Sequence, residues 1–162
     1  MSRALHIVLV EPEIHWNTGN TGRTALAVGA QLHLVEPLGF SLEAKEVRRA
    51  GLDYWDRVRP RLWPTWEAFE AALPGLGEPF VFTGSAARTY WEPRYPDRCV
   101  LVFGRESVGL PKAILARYQT AAVRIPMEDR ELRSLNLSTA AALASYEVLR
   151  QWGPRGRETT VR

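Results

Sequence analysis

The chain reads as an α/β protein, with a mostly parallel sheet and helices on both faces. Two observations predict this class. Short apolar runs rich in β-branched residues alternate with helix-length segments, the pattern that builds parallel strands joined by crossover helices. Hydrophobic residues make up 46% and charged residues 24% of 162, ordinary values for one globular domain with a substantial core. A third observation concerns function: the polar, glycine-containing blocks sit where apolar runs end. In open α/β sheets, ligands bind outside the carboxyl ends of strands.

Residues 5–10, Leu-His-Ile-Val-Leu-Val, form a strand that Glu11-Pro12 ends. A helix over 17–28 follows, closed by Gly29-Ala30 before a strand over 31–35. Residues 43–50 are expected to form a short helix stopping at Gly51, and 64–73 a helix with Pro64 in its first turn. Strands are expected over 80–82, 99–103 and 121–125. A helix is expected to start at Leu110-Pro111, and a final one over 137–152. Residues 1–152 are thus read as a single domain, and 153–162 as a mobile basic tail.

No apolar run reaches the roughly 20 residues of a membrane helix, and the N-terminus has no secretory cleavage pattern. Cys99 is the sole cysteine and lies in an apolar run. It is expected to be a buried core residue of a cytoplasmic protein, with no metal site. The net charge is +3 and the pI near 9.3, and 19 of the 21 basic residues are arginine. Arginine forks onto phosphates and stacks on bases, so the balance favours a nucleic-acid partner; genomic composition is the competing explanation.

Three blocks carry the chemistry. The first is Glu11-Pro12-Glu13-Ile14-His15-Trp16-Asn17-Thr18-Gly19-Asn20-Thr21-Gly22-Arg23-Thr24. Its glycines and asparagines are expected to open a helix and leave outward N–H groups for an anion, although the G-x-G-x-x-G spacing is absent. Asn17 and Asn20 are alternatively helix caps, and Arg23 a solvated surface residue. The second block, Phe103-Gly104-Arg105-Glu106-Ser107-Val108-Gly109-Leu110-Pro111, brackets a glutamate with glycines that permit a sharp bend and a close ligand approach. The third runs from Ile125-Pro126-Met127 to Arg133-Ser134-Leu135-Asn136-Leu137-Ser138, where Ser134 or Asn136 is also a natural N-cap.

In this order the blocks resemble the three motifs of the SPOUT RNA methyltransferases. The similarity extends over about residues 7–151. The segments Glu36-Pro37-Leu38-Gly39-Phe40 and Arg48-Arg49-Ala50-Gly51-Leu52-Asp53-Tyr54 resemble the TrmL-like branch, which methylates the ribose 2′-hydroxyl of a tRNA wobble nucleotide. The resemblance implies S-adenosylmethionine as methyl donor, a deep C-terminal trefoil knot, and a homodimer whose active site draws on both subunits. The implied catalytic group is Arg23 with Asn17, Glu106, Ser134 and Asn136. The implied donor-binding residues are Phe82, Thr83, Gly104, Gly109, Leu110, Ile125, Met127, Ser134 and Leu135, and Ser138 lines the cleft beside them. Arg105 and Val108 fall where the family varies and receive no role. Thr139 departs from the asparagine expected after Leu-Ser, and the charged stretch 128–132 alters the loop.

Arg48 and Arg49 are expected to contact RNA phosphates, and Tyr54, Trp55 and Trp16 to stack on an unpaired base or pack in the core. The small-residue stripe Leu137, Ala141, Ala144, Val148 is expected either to pack across the dimer or to bury against the chain's own sheet. The implied partner is the tRNA anticodon stem-loop, with cytidine or uridine as target. Ribosomal RNA, another tRNA position and a non-catalytic RNA-binding role are the competing readings. An NAD-type oxidoreductase is disfavoured by the missing glycine fingerprint.

Overall fold

The computed structural model of the protein describes residues 2–43 and 53–154. Six strands form one sheet: β1 (Ala4–Val10), β2 (Gln31–Val35), β3 (Arg61–Trp63), β4 (Glu78–Phe82), β5 (Arg98–Phe103) and β6 (Ala122–Val123). All pair in parallel, in the order β3-β2-β1-β5-β4-β6. The chain builds outward from β1 to β3, then returns past β1 to lay down β4, β5 and β6 on the other side. The reversal falls between β1 and β5, which is where such sheets open a crevice.

Among the described residues, four α-helices lie between strands, α1 (His15–Val28), α2 (Trp55–Val58), α3 (Trp66–Leu76) and α4 (Lys112–Arg117), and a fifth, α5 (Leu137–Trp152), follows β6. Alternation along the strands divides the core. Leu5, Ile7 and Leu9 of β1 pack with Ala25 of α1, Val58 of α2 and Ala141, Ala144 and Val148 of α5. Val8 and Val10 pack on the opposite face with Phe69 and Leu73 of α3 and Ile114 of α4. Both faces are therefore covered, as parallel sheets require. Cys99 is fully buried in the first layer, as expected.

Several boundaries differ from the sequence reading. The helix over α3 begins after Thr65, whose hydroxyl accepts from Ala68 N at 3.2 Å. Pro64 thus precedes the cap instead of occupying the first turn, and the helix continues through Pro74 to Leu76. The expected strand over 121–125 shrinks to Ala122–Val123. Beyond it, Arg124 pairs its backbone with Arg88 and Tyr90, and Pro126 has no N–H to continue a ladder. Strand β3 was missed altogether. The expected helix over 43–50 falls almost entirely, and the tail over 153–162 largely, outside the described residues. The stripe Leu137, Ala141, Ala144, Val148 is buried within the chain's own core, leaving Leu143 and Tyr146 exposed on α5.

A polar rail crosses three strands under α3. The Trp63 indole N–H can only donate, and it meets His33 Nδ1 at 3.0 Å. His33 must therefore be neutral, with its proton on Nε2, donated to His6 Nδ1 at 2.9 Å. Burial, reinforced by His6 and Arg61, pulls the His33 pKa down to about 3. An unfolded histidine titrates near 6.5, so the unfolded chain takes up a proton that the folded chain refuses. This contribution to stability is complete above about pH 6.5 and declines as pH falls toward 3. Thermal melts between pH 7.5 and 4.5 should show wild type losing stability on acidification. A His33→Gln variant, less stable at pH 7.5, should show a visibly flatter decline.

Candidate active site

The loops after β1, β5, β4 and β6 converge on one cavity of about 700 Å3 at the carboxyl edge of the sheet. That is the size range of small-molecule sites. Phe82, Ile125, Leu110 and Leu137 supply apolar wall, and residues 104–109 form a hairpin-like lip. Arg105 and Gly109 exchange both backbone hydrogen bonds, at 3.1 and 2.9 Å, closing the lip. A Cβ on Gly104 would lie 2.2 Å from Gly109 C and Leu110 N, so only glycine lets the two limbs of this loop meet.

The polar network that fixes the cavity is centred on Glu106. Its Oε2 accepts from Glu13 N at 2.8 Å, and its Oε1 accepts from Ile14 N at 3.1 Å and Asn17 Nδ2 at 3.2 Å. Helix α1 has no local side-chain cap at Ile14. Its electropositive end is met by a carboxylate brought from a loop some ninety residues away. Asn17 has its amide orientation settled by that carboxylate, so its Oδ1 faces Asn136 and accepts from Asn136 Nδ2 at 2.8 Å. Asn136 Oδ1 then caps α5, accepting from Ser138 N and Oγ at 2.9 and 2.6 Å. Glu13 closes the circle: its Oε1 accepts from Ser107 Oγ at 2.6 Å and Ser107 N at 3.1 Å, and these bonds hold its pKa below the usual carboxylate value.

All nine residues expected to bind a methyl donor line the cavity: Phe82, Thr83, Gly104, Gly109, Leu110, Ile125, Met127, Ser134 and Leu135. Asn17, Glu106 and Asn136 line it too. Ser134 is exposed there, and its side chain makes no hydrogen bond among the described residues. Ser138 is not in the wall; its hydroxyl is engaged by Asn136. An apolar pocket with a polar lip and one unengaged hydroxyl suits an amphipathic ligand such as a nucleoside carrying an amino-acid tail.

Arg23 does not line this cavity. It lies exposed on the outer face of α1, its guanidinium 5.5 Å from the centre of the Tyr54 ring. The Tyr54 hydroxyl donates to Gly19 O at 3.0 Å, and both Tyr54 and Trp55 are half-buried against the core. Trp16 is exposed. Arg48 and Arg49 lie outside the described residues. The expected anion site at Gly19 to Gly22 is corrected: α1 starts at His15, placing those residues inside the helix, and the protein's own Glu106 occupies its N-terminus. Gly22 instead makes room for α2, since a Cβ there would come within 2.9 Å of the Trp55 ring. Glu13 and Ser107 were missed, because nothing local marks a contact between residues so distant in sequence.

The fold and cavity define an α/β protein with a ligand cleft built by strand-end loops at a topological switch. The chain belongs to the SpoU rRNA Methylase family, whose sequence model matches residues 4–146. It is 45% identical over 148 residues to a tRNA (cytidine(34)-2'-O)-methyltransferase from Acidovorax sp. (strain JS42), covering 90% of this chain and 91% of the relative. A solved structure described by the 2-OH methylation of C/U34 on tRNA is 45% identical with a TM-score of 0.85, covering 93% of this chain and 97% of that one. An AdoMet-bound rRNA methyltransferase from Sinorhizobium meliloti is 25% identical with a TM-score of 0.81, covering 95% of this chain but 59% of that protein.

Two substitutions test the geometry. Gly104→Ala should weaken S-adenosylmethionine binding at least tenfold by calorimetry, with a loss of melting temperature, because the lip cannot close. Glu106→Ala should destabilise the protein by about 2–4 kcal/mol in urea unfolding, since it strips three bonds to a charged acceptor.

Proposed function

We propose that the protein is an S-adenosylmethionine-dependent ribose 2′-O-methyltransferase acting on tRNA, at a wobble cytidine or uridine of the anticodon loop. The observation that carries this reading is the cavity itself. Every residue expected to hold the methyl donor lines it, with Glu106, Asn17 and Asn136 fixing its walls. The substrate assignment is supported by relatives of matching length named for position 34.

The donor, when bound, supplies an electrophilic methyl on sulfonium. Phe82, Leu110, Ile125 and Leu135 would hold its apolar part, and Gly104, Gly109, Thr83, Met127 and Ser134 would line its polar edge. Transfer to the ribose oxygen would break one sulfur–carbon bond for the carbon–oxygen bond formed and would release the hydroxyl proton to solvent or to an RNA phosphate. Alignment is therefore the main demand on the protein. Glu106 has both oxygens engaged by Asn17 and by the amides leading into α1, which suits it to orienting the site.

Arg23 serves as an electrostatic clamp on the developing alkoxide or its neighbouring phosphate, because a guanidinium keeps its proton at neutral pH. Because it stands outside the cavity of its own chain, a homodimer that presents Arg23 beside the partner's cavity completes the site. The exposed Leu143 and Tyr146 of α5 are available to such an interface. Residues 1–152 would act as one catalytic domain, with the trefoil knot securing the donor loops. The cellular location would be the cytoplasm, where tRNA is modified; no helix among the described residues is long and apolar enough to cross a membrane.

The test is transfer of labelled methyl from S-adenosylmethionine to unmodified total tRNA, with the label located by nuclease digestion and mass spectrometry. Wild type should label a wobble ribose. Arg23→Ala should fall at least a hundredfold in rate while still binding the donor. Label appearing only in ribosomal RNA would overturn the substrate assignment, and absence of both transfer and donor binding would overturn the enzyme.

A further inference from the structure

Resting on the reading above, we propose that Arg105 is a substrate-positioning residue that grips a backbone phosphate of the RNA at the rim of the cavity, with Glu11 setting its direction. Arg105 and Arg133 are the cationic residues of the cavity wall, but only Arg105 is tethered. Its Nε lies 3.6 Å from Glu11 Oε2, with side-chain exposures of 39% and 26%. The guanidinium makes no hydrogen bond among the described residues; its enclosed Nε faces Glu11 as an ion pair beyond hydrogen-bond distance. The four terminal N–H donors, held beside a cleft by the Glu11 pair and without a hydrogen-bond acceptor among the described residues, leave room for a second oxyanion.

The tether is built with some strain. Glu11 is a non-glycine residue in the left-handed region, with φ 52°, a conformation that surrounding structure must impose and that clusters at functional sites. It stands at the end of β1, and its N–H donates to Val35 O at 2.8 Å. The backbone of Arg105 is held equally firmly by its two bonds to Gly109. Both ends of the contact are thus fixed before any ligand arrives.

Two oxyanions would come to this cleft, the carboxylate of the methyl donor and the phosphates of the RNA. The position favours phosphate. Arg105 is anchored on the β1 and α1 side, next to Glu106, whereas the apolar wall comes from Phe82, Ile125 and Leu137 on the other strands and α5. A partly exposed guanidinium at the lip meets a polymer crossing the rim, and the two free oxygens of a phosphodiester match its fork.

The experiment compares wild type, Arg105→Ala and Arg105→Lys, using an unmodified anticodon stem-loop RNA with a wobble cytidine. It measures KM for RNA, KM for S-adenosylmethionine and the salt dependence of RNA binding by fluorescence anisotropy. Arg105→Ala should raise KM and Kd for RNA roughly tenfold and reduce the salt slope by about 0.7. KM for the donor should stay within about twofold of wild type. Arg105→Lys should restore the slope but recover only part of the affinity, since it keeps the charge without the fork. A raised KM for the donor with unchanged RNA binding would assign Arg105 to the carboxylate and overturn the proposal, as would no change in either. Anisotropy decides the matter even if wild type transfers no methyl, an outcome that would count against the proposed function alone.

Discussion

The carboxylate of Glu106 is the constraint on which the rest of the site depends. It satisfies the amide groups leading into α1 and fixes Asn17, and through Asn17 it reaches Asn136 and the cap of α5. One side chain therefore joins the loop after β1, the loop after β5 and the start of the last helix. Ordering a loop residue costs about 1–2 kcal/mol, and each hydrogen bond to a charged group returns about 1.5–3 kcal/mol. A bare glycine-rich lip would not hold its shape; one bonded through Glu106 and the Glu13–Ser107 pair can.

The sheet order makes this arrangement possible. Because β1 and β5 are neighbours at the switch point, their loops leave the sheet side by side although their sequences lie far apart. β4 and β6 stand next in line, so the loops bearing Thr83 and Met127 open onto the same space. The other half of the sheet has a different task. There the Trp63–His33–His6 rail ties the short edge strand β3 to β2 and β1, under the cover of Phe69.

Much of this was legible in the sequence. Strand β2 and helix α5 fall at the residues that periodicity and caps indicate, and every proposed donor-binding residue meets in one cavity. β3 was not legible because Pro60 and Pro64 flank it and Leu62 is exposed, so its pattern resembles a loop; His33 and β2 recruit it. The glycines of the first block were misread for a related reason. Their composition suggests an anion-binding turn, but an anion from elsewhere in the chain already sits at the helix start. Glu13, Ser107 and Arg105 acquire their roles only from contacts across the switch point, which no local pattern encodes.

The central claim is that the three motifs act as one hydrogen-bonded unit through Asn17. A double-mutant cycle on Asn17→Ala and Asn136→Ala, read by urea unfolding and by S-adenosylmethionine binding, tests it most directly. The two losses should be non-additive, with a coupling of about 1 kcal/mol or more in stability and a double variant that binds the donor little worse than the weaker single. Strictly additive losses in both measurements would mean that the loops are held independently, and that the network is a by-product of their folding.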